Sequence, residues 1–192
     1  MKLTEAKLKT IISEVISESI DDLGSYRKYL AMDDIPVDSE DYEDHIKDAS
    51  TGNCGKFTLT LLVRLLELRE KGIVKDIDLM ILYDKQTVSS PEGINKIEDL
   101  IGSFVNHAFV FADGFYYDVN GRFNESELSS HLKDYTGSMD EPFLNYFEVN
   151  NLNDIRRYHS ALNDMGSLDN RSCSGYESAV DNIIMKTYFN KK

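Results

Sequence analysis

The stretch Val105-Asn106-His107-Ala108-Phe109-Val110-Phe111-Ala112-Asp113-Gly114-Phe115-Tyr116-Tyr117-Asp118-Val119-Asn120-Gly121 constrains the fold more than any other. Two β-prone runs flank Asp-Gly, a pair that accepts the positive φ angles of a two-residue hairpin turn, so an antiparallel sheet is expected here. With Asp113 and Gly114 as the turn, Ala112 pairs with Phe115, Phe109 with Asp118, and His107 with Asn120. Alternate residues share a face, so His107, Phe109, Asp118 and Asn120 point the same way. A diagonal cross-strand neighbour lies about 7–8 Å away, within reach of the His107 imidazole, which predicts a His–Asp couple. Asp113 is taken up by the turn; Asp118 is left without a structural task. No basic residues interleave Phe109, Phe111 and Tyr116, so these rings are expected in a core rather than in a base-stacking surface.

A second stretch, Gly52-Asn53-Cys54-Gly55-Lys56-Phe57-Thr58, places one thiol just before an apolar run. Leu59, Leu62, Val63 and Leu66 follow the i, i+3, i+4, i+7 spacing of a buried helix face, and Gly72 is the expected stop. A cysteine at such a helix start meets unpaired N–H groups and the positive end of the dipole, which favour thiolate over thiol. Cys54 is therefore a candidate nucleophile, and His107 its candidate base.

Cysteine at a helix start, then histidine on one strand and aspartate on the next, resembles the papain-like and transglutaminase-like cysteine enzyme superfamily. The likeness is carried by Asn53 to Phe57 and by Asn106 to Gly121. It implies an α+β fold in which the nucleophile helix packs on a small antiparallel sheet, with extra helices at both ends. It also implies that Cys54 is the nucleophile, His107 the general base and acid, and Asp118 the group that orients the imidazole. Papain-type enzymes carry a glutamine ahead of the cysteine, whereas the one glutamine here is Gln86, downstream. The Cys54 N–H and the Asn53 side chain are the expected oxyanion donors, and Asn120 is a spare orienting group if the hairpin slips by two residues. The implied activity is acyl transfer, first the hydrolysis of a peptide, isopeptide or glutamine-type amide in a protein or peptide substrate. Transglutaminases, deamidases and arylamine acetyltransferases use the same constellation, and a non-catalytic virion or host-interaction protein on this fold is the alternative.

The rest of the chain frames these segments. Thr4 to Ile20 reads as an amphipathic helix with Leu8, Ile11, Ile12, Val15, Ile16 and Ile20 on one face, and Asp21 to Ser25 as a break, dividing residues 1–22 from a single domain over 23–192. The opening Met1 to Glu14 resembles the start of proteins from large tailed bacteriophages. Leu3-Thr4-Glu5, Ile12-Ser13-Glu14 and Ile16-Ser17-Glu18 fit the tripeptide after which a prohead protease cuts, though any Glu-rich amphipathic helix contains such tripeptides. This segment is either packed on the body or a detachable targeting arm. Tyr26 to Met32 is expected as a short helix, and Asp33 to Ser50 as a connector. Its acidic run, Asp38 to Asp48, lacks the order of a calcium loop. Val74 to Tyr83 reads as a central strand, Gly93 to Ile101 as weak helix or loop, and Asn124 with Glu127 as a capping box. Phe143 to Val149 reads as a strand, Leu152 to Met165 as mixed, and Gly175 to Tyr188 as a terminal helix.

A formal net charge of −13 argues against nucleic acid or an anionic membrane as partner. No apolar run is long enough to span a bilayer and no secretory signal is visible, so a cytoplasmic setting is expected, that of the host or a virion if phage-encoded. Cys54 and Cys173 are not expected to pair in a reducing compartment. His45, His107, His131 and His159 show no zinc-ligand spacing with Cys54, so neither metal nor cofactor is expected. The Gly55-Lys56 pair lacks the first glycine and the Ser/Thr of a P-loop.

Overall fold

A computed structural model describes residues 23–27, 54–89, 93–168 and 176–189. Helix α1 (Cys54–Glu70) leads into β1 (Ile77–Asp84), β2 (Val105–Ala112), β3 (Phe115–Asp118) and β4 (Gly121–Phe123). Then follow α2 (Glu125–Thr136), β5 (Pro142–Glu148), α3 (Leu152–Asp164) and α4 (Tyr176–Ile184), which passes into a π-helical turn, Met185–Phe189. The five strands form one sheet of order β4-β3-β2-β1-β5, antiparallel at every pairing. The class is α+β.

The hairpin forms as its sequence demands. Asp113 (φ 50°) and Gly114 (φ 87°) both take positive φ, and Ala112, Phe111 and Val110 pair with Phe115, Tyr116 and Tyr117. That conformation is open to glycine and tolerated by aspartate, which is why Asp-Gly sits there.

Helix α1 buries the expected stripe, but it buries Leu61 and Leu65 as well, because β2 lies on one side of it and α3 and α4 on others. It ends where expected: Gly72 (φ 71°) follows the last turn, and Ile73 N–H donates back to the Leu68 carbonyl at 2.9 Å. This is a glycine-terminated Schellman closure.

The alternation of the strands separates two cores. Ile77, Leu79, Ile81, Tyr83, Ala108, Val110 and Tyr117 join α1, α3 and α4 in the larger one. Met80, Leu82, Phe109, Tyr116 and Phe123 join Leu132 of α2 and Met139 in the smaller one. Phe109 and Tyr116 are thus core rings, with Phe111 packed against them.

Three features depart from the sequence reading. The short strand β4 pairs with β3 through Tyr116↔Phe123, Tyr117↔Arg122 and Asp118↔Gly121. Leu152 to Asp164 is a full helix, started by Asn151, whose side chain accepts from the N–H groups of Asn153 and Asp154. Its charged outer face hid the inner stripe of Leu152, Ile155, Tyr158 and Leu162. Residues 23–25 are helical where a break was expected, running into the expected helix at Tyr26, because Leu23 and Tyr26, one turn apart, are both buried and the Tyr26 hydroxyl meets His159 Nδ1 at 2.7 Å. The expected N-terminal helix, the connector with its acidic run, Asn53 and Cys173 lie outside the described residues. Among the described residues no helix is long and apolar enough to cross a membrane.

Candidate functional site

Cys54 is the first described residue of α1, and two contacts fix this part of the helix. The Thr58 hydroxyl donates to the Ala108 carbonyl at 2.9 Å, a buried tie between the first turn of α1 and the residue after His107. Gly55 has no room for a side chain: a Cβ there would stand 2.6 Å from the Ser167 carbonyl oxygen. The segment following α3 therefore presses on the helix start, and Met165, Gly166 and Ser167 become a wall beside the thiol. Cys54 is buried and forms no disulfide.

His107 is placed by a β-bulge. Leu82 pairs with His107 but Tyr83 pairs with Val105, so Asn106 is the extra residue. Bulges of this kind re-aim the neighbouring side chain. The Asn106 amide donates to the Tyr135 carbonyl and lies 3.2 Å from the Ser138 hydroxyl, which binds the bulge to the end of α2. The His107 ring stacks on Tyr135 at 3.9 Å between centroids and, on Phe109, at 5.4 Å.

Within that sandwich, His107 Nε2 lies 3.1 Å from Asp118 Oδ2, the couple the hairpin register called for. Nδ1 is buried with no hydrogen bond of ordinary geometry. Burial disfavours the imidazolium, yet hydrogen bonding and charge from Asp118 and Cys54 outweigh it and raise the pKa from 6.5 to about 9. The partners therefore favour the imidazolium.

Asp118 is 1% exposed and fully engaged. Oδ1 accepts the Asn120 N–H at 2.8 Å, while Oδ2 meets His107 and also His131 Nε2, at 2.6 Å. Burial favours its neutral form, but the two imidazoles hold it well below the usual carboxylate range. The expectation that Asp118 lacks a structural task is thus corrected, since it closes the β3–β4 turn as well. The Asn120 amide reaches only Asp118 Oδ2 and the Tyr135 hydroxyl, each at 3.5 Å, so Asp118 and not Asn120 orients the ring.

His131 is the residue that spacing along the chain did not reveal. The Asn124/Glu127 capping box fixes the start of α2, and Leu128, His131, Leu132 and Tyr135 then fall on its inner face. The His131 ring stacks on Phe123 at 4.0 Å and is delivered to Asp118. A histidine and a tyrosine on an otherwise apolar helical face were the available signal.

His107, Asp118 and His131 also bring one donor atom each to within 4.8 Å of one another, a set that could hold a transition metal. Residue spacing had pointed away from any such set. The same atoms already satisfy one another as two imidazole N–H donors on one carboxylate oxygen.

A cavity of about 960 Å³ opens beside these groups, lined by Cys54, Asn106, Asn120, His131, Asp134 and Tyr135 among others, with no lysine or arginine among the described residues of its wall. Of the expected site residues, Cys54, His107, Asp118 and Asn120 come together, while Asn53 lies outside the described residues. No family model, curated protein or solved structure matches this chain.

Proposed function

We propose that the chain is a cysteine-dependent acyl-transfer enzyme of the papain-like or transglutaminase-like kind, which hydrolyses peptide, isopeptide or glutamine-type amide bonds. The observation that carries this reading is the His107 ring, tied to Asp118 through Nε2, with its Nδ1 buried and Cys54, on the first described turn of α1, close enough for hydrogen bonding and charge to act on the ring. An imidazole so placed has one nitrogen for orientation and the other for proton traffic.

In the first step Cys54 Sγ adds to the carbonyl carbon, its proton residing on His107. The C–N bond then breaks as Nδ1 returns the proton to the leaving amine, giving an acyl-thioester. Water enters from the cavity, gives a proton to Nδ1, and releases the acid as the C–S bond breaks. Asp118 stays a carboxylate throughout and holds the ring. The neutral and acidic cavity wall suits a polar amide or an amine.

Intact mass spectrometry after brief exposure to p-nitrophenyl acetate tests the reading. The account expects one acetyl group, mapped to Cys54, that is lost with time in water and never forms in Cys54→Ala. Absence of a Cys54 adduct in the native chain overturns it.

A further inference from the structure

A second cavity, of about 550 Å³, lies where the β3–β4 turn meets the C-terminal end of α4. Among the described residues its wall holds two cations, Arg122 and Lys186, and no carboxylate. That is unusual in a chain with 34 acidic and 21 basic residues, where a lone cation normally finds an acid close by. The acids on α4 are committed elsewhere: Glu177 pairs with Arg27 and Asp181 with Arg64, each at 2.7 Å. Among the described residues neither Arg122 nor Lys186 forms an ion pair.

Both cations are exposed, and one of them is held in place. The Arg122 guanidinium lies 4.4 Å over the Phe115 ring, a cation–π contact that fixes its direction. Lys186 stands on the π-helical turn Met185–Phe189, a rare local winding that recurs at functional sites. Tyr188 anchors that turn, with its hydroxyl 3.5 Å from that of Tyr117. The uncharged side chains Asn182 and Thr187 line the same wall. Gly121 adds no Cβ that would narrow the opening. Asn120 also lines the cavity that holds Cys54, so the two spaces adjoin through one residue.

We propose that this second cavity is a subsite for a carboxylate or phosphate group, occupied by the anionic end of the substrate whose acyl carbon reaches Cys54. The first half stands on Arg122 and Lys186 alone; the second rests on the role proposed for Cys54. A directed arginine and an exposed lysine on one cavity wall, with neutral donors beside them, match a multi-oxygen anion, since arginine offers a fork and lysine a point charge. Among the described residues the wall of the cavity holding Cys54 has no lysine or arginine, so charge discrimination at a distance from the thiol would fall to this neighbour.

Two measurements test it. In the first, inorganic phosphate and glutarate are titrated separately into the full chain at constant ionic strength, and amide resonances of Gly121, Arg122 and Lys186 are followed. Saturable, localised shifts with either anion are expected, weakened at least about fivefold in the Arg122→Gln/Lys186→Gln variant. The anion that saturates at lower concentration identifies the source as phosphate or carboxylate. Non-saturating shifts with both anions, or equal shifts in the variant, overturn the subsite. In the second, Cys54 is alkylated by iodoacetate and by iodoacetamide, which differ by one negative charge. The rate ratio should fall about threefold in the double variant with the iodoacetamide rate unchanged, and the fall should shrink in high salt. An unchanged ratio overturns the link to Cys54. If Cys54 reacts with neither reagent the enzyme reading fails, and the anion titration still decides the subsite.

Discussion

On one face of the sheet, Ile77, Leu79, Ile81, Ala108 and Val110 close against α1, α3 and α4 with carbon on carbon. On the other, the same strands carry His107 and Asp118 under α2, beside Phe109 and Tyr116. Fully burying an aliphatic side chain contributes about 1.5–3 kcal/mol, so the first face is where stability accumulates. Burying an imidazole and a carboxylate costs stability unless each finds partners, and here they find them almost wholly in one another, in His131 and in the Asn120 N–H. The Nδ1 of His107, with no hydrogen bond of ordinary geometry, is the one term left open. The contrast teaches where to look for chemistry: the larger core supplies the rigidity, and the smaller one keeps a polar cluster that packing alone would not retain.

Substitutions should separate the faces. Asp118→Asn removes the charge that holds the His107 ring, and should cut the acylation rate of Cys54 by about 10²–10⁴ in stopped-flow ester assays, by analogy with hydroxyl triads. Leu61→Ala, at a fully buried position of α1, should do the reverse. It should cost about 2–5 kcal/mol in denaturant unfolding and leave the acylation rate near normal below the new midpoint. Comparable losses of both quantities in both variants would erase the distinction.

The pH dependence of stability sharpens it. A group whose folded pKa is raised stabilises the fold below its unfolded pKa and loses that contribution as pH rises through the folded value. For His107 that window runs from about 6.5 to about 9. The thermal midpoint of the native chain should decline across it, and His107→Gln should flatten the decline. Asp118, whose carboxyl is held low, acts in the opposite direction, and its contribution should fade only in strong acid.

The smaller effects concern His131. His131→Phe keeps a ring to stack on Phe123 but removes the donor to Asp118 Oδ2. A hydrogen bond to a charged group is worth about 1.5–3 kcal/mol, so the acylation rate should fall roughly tenfold, with His131→Gln recovering part of it. Incubation with EDTA should change nothing. Loss of activity on chelation would mean that His107, Asp118 and His131 hold a metal instead of sharing protons.

What could be read in the sequence was what local chemistry determines. Asp113-Gly114 set the hairpin register, that register put His107 beside Asp118, and Asn124 with Glu127 opened α2. What could not be read depends on distant packing. Leu61 and Leu65 are buried because α3 and α4 cover the side of α1 away from the sheet, and His131 matters because α2 folds over the end of β3. The extra residue Asn106 shows only when Leu82 and Tyr83 are paired with β2. The tie between Gly55 and Ser167 joins segments more than a hundred residues apart, so neither residue announces it.

The central claim is that Cys54 is an activated nucleophile served by His107. Its most direct test is peptide-mapped alkylation by iodoacetamide at about pH 6, where an ordinary thiol is nearly unreactive. The account predicts that Cys54 is modified faster than Cys173 in the native chain and loses that advantage in His107→Gln. Modification of Cys54 no faster than Cys173, or at a rate indifferent to His107, would contradict it.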